Sequence, residues 1–198
     1  MQSFKSLIEK LDSTLRKYNP AAYANLGDPI SSEEIEGNLR EIGITDENVK
    51  ALFAWKMSLK DEHGPTIMPE GALMDFDLIK YTIDTNTFYD NALIELFNNF
   101  EIGLLFNIKP GPHYGKLYYR STPELFIKYP VSCYESLPAL ITTVIEAYEK
   151  GAYVYDAEAG DWLEVDYEIL EPIAKKHNPA CVYWKSFDPL RHKEWYEI

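Results

Sequence analysis

The chain has 198 residues, enough for one substantial domain with its own hydrophobic core. Hydrophobic residues make up 46% and charged residues 26%, a globular balance that excludes a disordered chain. The formal net charge of −13 excludes nucleic-acid binding through a basic face, because counterion release needs clustered cations.

In chain order, Phe4, Leu7, Ile8, Leu11 and Leu15 recur at helical spacing and predict a first helix, stopped at Asn19-Pro20. A polar connection is expected from Ala21 to Asp28. Ser31 and Glu34 form a capping-box pattern, so a second helix carries Ile35, Leu39 and Ile42 and ends at Gly43. A third helix starts at Thr45 or Asp46 and runs through Val49, Leu52 and Phe53 to about Trp55. Met57 to Pro69, with Gly64-Pro65, reads as a loop. Phe76 to Ile83 fits a short helix or a strand. Thr87 is the expected cap of a short helix carrying Phe88, Ala92, Leu93, Leu96 and Phe97.

Strand signals follow. Glu101 to Ile108 is an apolar run broken by Lys109-Pro110-Gly111-Pro112, and Gly115 to Arg120 reads as its antiparallel return. Phe126 to Tyr129 suggests another short strand. Ser136 caps a helix whose buried stripe runs from Leu137 to Tyr148, with Pro138 in its first turn and Gly151 at its end. Tyr153-Val154-Tyr155 and Trp162-Leu163-Glu164-Val165 predict a hairpin across an acidic turn, Asp156 to Asp161. A last helix spans about Asp166 to His177. The aromatic tail from Cys181 to Ile198 is expected to dock on the body. The fold class this predicts is α+β: one domain, with a central antiparallel sheet flanked by helices.

Function classes narrow further. No stretch approaches the roughly 20 apolar residues of a membrane helix, and the opening residues lead into an amphipathic segment rather than a signal core. Two cysteines, Cys133 and Cys181, are too few for a disulfide framework and read as reduced thiols. A cytoplasmic protein is the expectation. The histidines at 63, 113, 177 and 192 lack metal-ligand spacing. Gly111-Pro112-His113-Tyr114-Gly115 reads as a tight loop rather than a phosphate cradle, and the Gly-x-Ser-x-Gly nucleophile pattern is missing. No catalytic residue, metal site or cofactor is expected.

Charge is uneven along the chain. Residues 28–101 hold 16 acidic side chains against 5 basic, and residues 133–171 hold 10 against 1, whereas residues 102–132 hold 1 against 4. Such clusters either keep the protein soluble or steer a basic partner. The run Asp156, Glu158, Asp161, Glu164 and Asp166 has three readings: a solvated edge, a partner-binding edge or calcium ligation, the last without EF-hand spacing.

Several segments together resemble the SUKH superfamily. They are Pro29-Ile30-Ser31 with Glu33-Glu34-Ile35, then Leu39, Glu41-Ile42-Gly43-Ile44 and Val49 to Lys56. The run from Ser136 to Tyr148, Gly151-Ala152-Tyr153 and the hairpin to Asp166 is similar to the family's C-terminal helix and edge strands. The likeness covers 28–178, leaving 1–27 as an N-terminal helix and connection and 179–198 as the tail. It departs at Met57-Ser58, where the family pattern has Asn-Gly after the aromatic residue.

The resemblance implies a non-catalytic protein. Bacterial members look like immunity proteins that neutralise polymorphic toxins, often nucleases, by direct binding; fungal relatives regulate cell-wall assembly. The expectation is an immunity protein facing a basic toxin domain, or else a regulatory or scaffolding module; an enzyme with an unrecognised site is the third reading. The expected contacts are Asp156, Glu158, Asp161 and Glu164, with Tyr153 and Tyr155 as aromatic anchors.

Overall fold

Ser3 caps the first helix, α1 (Phe4–Tyr18), accepting from the Ser6 N–H at 3.2 Å. In this computed structural model, residues 3–85, 92–99, 102–121, 130–156 and 162–185 are described. The predicted apolar stripe buries Ile8, Leu11 and Leu15, and α1 packs on α6 (Leu137–Lys150). The N-terminal helix is therefore part of the main core.

Asn19 ends α1 and at once starts α2 (Pro20–Asn25), where a connection is predicted. Its side chain accepts from the Ala22 N–H at 3.0 Å and Pro20 occupies the first turn, where a missing N–H costs nothing. Asn19 is fully buried, and its amide also donates to Tyr148 Oη at 3.0 Å. β1 (Leu26–Gly27) leads to α3 (Ser32–Glu41), which has the complete capping box of Ser31 and Glu34. Gly43 follows at φ +76°, as a helix-ending glycine should. α4 (Glu47–Trp55) is capped by Asp46. β2 (Met57–Leu59) then pairs with β1, in part of the segment predicted as loop.

The main sheet has the order β3-β4-β5-β6-β7, all antiparallel: Ala72–Leu73, Leu93–Asn99, Ile102–Asn107, Leu117–Ser121 and Val131–Tyr134. α5 (Phe76–Thr85) settles the helix-or-strand ambiguity as a helix. β4 corrects an expectation, since Leu93, Leu96 and Phe97 lie on a strand and not on a helix. The pairing skips a step between Glu95↔Leu105 and Phe97↔Leu104, so a bulge turns both Leu96 and Phe97 into the core. That bulge breaks the alternation that marks a strand in sequence. Thr87, Phe88 and the suggested strand at Phe126 to Tyr129 lie outside the described residues.

Alternation holds along β5 and sorts the two faces of the sheet. Leu104 and Phe106 join Ile94, Leu117 and Tyr119 under the helices, whereas Leu105 joins Leu93 and Tyr118 in a second cluster on the far face. Glu95 shares that far face and is buried; it accepts from Arg120 Nη2 and, at 3.0 Å, from Asn98 Nδ2. Gly103 makes room for it, because a Cβ there would sit 1.9 Å from Glu95 Oε1.

The hairpin pairs β8 (Tyr153–Asp156) with β9 (Trp162–Val165), as expected, and Asp166 caps α7 (Tyr167–His177). The start of the tail does dock. Cys181 and Trp184, the latter on α8 (Val182–Lys185), are buried, with Trp184 Nε1 donating to the Cys133 carbonyl at 2.6 Å. The α+β class with a central antiparallel sheet and flanking helices is the architecture that forms.

Candidate partner-binding surfaces

Strand alternation decides which hairpin residues can meet a partner. Tyr153 and Tyr155 share one face and Val154 the other, directly across from Glu164. The inner face packs on α6, so Tyr153 is only 2% exposed and its ring stands edge-on to Tyr148 at 5.4 Å. This corrects the expectation that Tyr153 is a surface anchor. Tyr155 and Asp156 are half-buried and Glu164 is exposed. Glu158 and Asp161 lie outside the described residues.

On the outer face Val154 is 48% exposed. The chain leaving Glu164 continues the surface, with Tyr167 at 49% and Ile169 at 37% exposure in the first turn of α7. Asp166 Oδ1 accepts from the Glu168 and Ile169 N–H groups at 2.9 and 3.3 Å and so sets the start of this helix. From Glu164 to Ile169, acids and exposed apolar side chains are interleaved. The residues read from the sequence were the hairpin acids and tyrosines; exposed Val154, Tyr167 and Ile169 were not among them. The alternation was visible, but not which phase of it faced the core.

A cleft of about 470 Å³ opens elsewhere, between the 58–63 segment, the β3–β4 edge and the start of α5. Asn25 builds its outer wall, accepting from the Asp61 N–H at 2.9 Å and donating to the Asp61 carbonyl at 3.0 Å. Asp61 Oδ1 accepts from the His63 N–H at 3.0 Å, turning the chain. Across the cleft Asp75 Oδ1 accepts from the Leu78 N–H at 2.8 Å and presents α5. Ser58 lines the cleft at φ +53°, a left-handed conformation that a non-glycine residue adopts at a cost. No signal in the sequence joins 58–63, 72–78 and 98–99, because the sheet edge brings them together.

His63 also lines this cleft, and further titratable groups lie inside the fold or at its surface. Glu70 is buried and accepts from Tyr134 Oη at 2.9 Å, while its Oε2 and the Tyr153 hydroxyl have no hydrogen-bond partner among the described residues. Burial raises the Glu70 carboxyl above its ordinary range. It also raises both thiols, that of Cys181 to about 12, so they stay protonated and weakly nucleophilic. His177 Nε2 lies 2.6 Å from Glu146 Oε2, which also accepts from Lys176. Among the described residues no group of three or more His, Cys, Asp or Glu could hold a metal ion, and no helix is long and apolar enough to cross a membrane.

The fold thus defines a single α+β domain with two surfaces that combine acids and exposed apolar side chains. No protein-family model matches the sequence, and no curated protein matches it.

Proposed function

We propose that this chain is a non-catalytic, cytoplasmic protein-binding domain of SUKH type, an immunity protein that neutralises a basic toxin domain by direct binding. The observation that carries the reading is the surface formed by the outer face of the β8–β9 hairpin and the start of α7. Val154, Tyr167 and Ile169 stand exposed among Glu164, Asp166 and Glu168. Apolar and aromatic side chains supply the anchors of an interface, and acids around them speed encounter with a cationic partner.

Ser58 stands where the family pattern has glycine and is the point of departure from the resemblance; it adopts a positive φ, a conformation glycine takes more freely. The long helix α6, the hairpin and α7 follow in the order the resemblance implies.

The test is a pull-down with a toxin domain encoded beside the gene, together with growth on co-expression. A nanomolar complex and restored growth are expected, with Val154→Asp and Tyr167→Ser each weakening binding about tenfold, as truncated anchors do. Failure to form a complex and failure to restore growth would overturn the immunity reading.

A further inference from the structure

We propose that the cleft beside α5 is a second docking surface, which takes an extended basic segment of a protein partner. One Lys or Arg side chain enters the cleft, and an apolar side chain covers Leu78 and Tyr81. The inference does not rest on the hairpin surface and shares no residue with it.

Shape comes first. At about 470 Å³ the cleft is within the range of sites that hold side-chain-sized guests. Leu78, 44% exposed, forms part of its wall, and Tyr81, 64% exposed, lies one turn further along the same helix face, outside the cleft. A small cation seated in the cleft would reach Leu78 but leave Tyr81 in water. A chain segment that leaves the cleft along α5 covers both, and Tyr is a residue that interfaces favour as an anchor.

Charge selects the occupant. Asp61, Glu62 and Asp75 line the cleft, and exposed Asp77 and Asp84 flank Tyr81 on α5. Lys60 also lines it, but its ammonium donates to the Ala24 carbonyl at 3.2 Å, on the α2 side. Lys80 of α5 is engaged with Asn38 and Glu41 of α3. The field at the cleft is therefore negative, and a cationic side chain is the complementary guest. The 58–63 wall is held by Asn25, so the site is formed before anything binds.

The test uses two fluorescein-labelled dodecapeptides, one alternating Arg and Leu, the other Glu and Leu, read by anisotropy and by amide chemical-shift mapping of the whole chain. The Arg–Leu peptide should bind with shifts confined to residues 58–63, 66, 72–78, 81 and 98–99, and the Glu–Leu peptide should not bind. Glu62→Gln with Asp75→Asn, which keeps the oxygen that caps α5, should weaken it about tenfold at low salt, and Leu78→Ser with Tyr81→Ser to a similar extent. Both double variants should melt close to the parent, because Glu62, Leu78 and Tyr81 are exposed and Asp75→Asn keeps the oxygen that accepts from the Leu78 N–H. Val154→Asp should leave this affinity unchanged while weakening the toxin-domain complex, which separates the two surfaces. Scattered or missing shifts, equal binding of the acidic peptide, or parent-like affinity in both double variants would overturn the proposal.

Discussion

Glu70 shows how a single buried group sets a property of the whole chain. Its folded-state proton affinity is raised by burial, and Tyr134, Tyr153 and Cys133 around it are raised further and stay protonated. A carboxyl that holds its proton more tightly when folded contributes stability fully below its unfolded pKa of about 4.3, and loses it as pH rises through the folded value. Urea unfolding of the parent should therefore show stability falling across that window, and Glu70→Gln should flatten the fall; an unchanged slope would assign it to another group. Ser58 gives a second test at this scale. Ser58→Gly should raise stability by about 1 kcal/mol by removing the left-handed penalty, and Ser58→Val should lower it, both read from urea midpoints. Residue by residue, the caps at Ser31 and Ser136 were legible because a side-chain oxygen ahead of an apolar stripe has one local use, whereas Asp46 was one of two starts and Asp166 marked only where the last helix begins. Tyr153 was not, because a strand's alternation does not say which phase is inside.

Among the elements, β4 carries the main lesson. Its apolar run imitates a helix because the bulge places Leu96 and Phe97 on one side. The short strands β2 and β3 left no pattern, being set by their partners rather than by their own side chains. α6 and the hairpin were legible because their periodicities run over whole elements. The packing of β4 on β5 predicts that Gly103→Ala is costly. Its Cβ would meet Glu95 Oε1 at 1.9 Å, so the carboxylate would have to shift and disturb its hydrogen bonds with Arg120 and Asn98. A loss of about 2 kcal/mol in urea unfolding is expected. A neutral substitution would mean that the ion pair moves freely, and that the far face of the sheet is looser than its burial indicates.

For the molecule as a whole, the acidic balance and its uneven distribution along the chain were legible in the sequence. The structure adds which acids stand beside exposed apolar side chains, something that depends on tertiary placement. The central proposal is that the β9–α7 surface captures a basic toxin domain. Its most direct test is the stopped-flow association rate with that domain as ionic strength is varied, for the parent and for a Glu164→Lys, Glu168→Lys variant. Charge reversal should slow association about tenfold at low salt and remove most of the salt dependence. An unchanged rate with the parent's salt dependence would contradict the proposal.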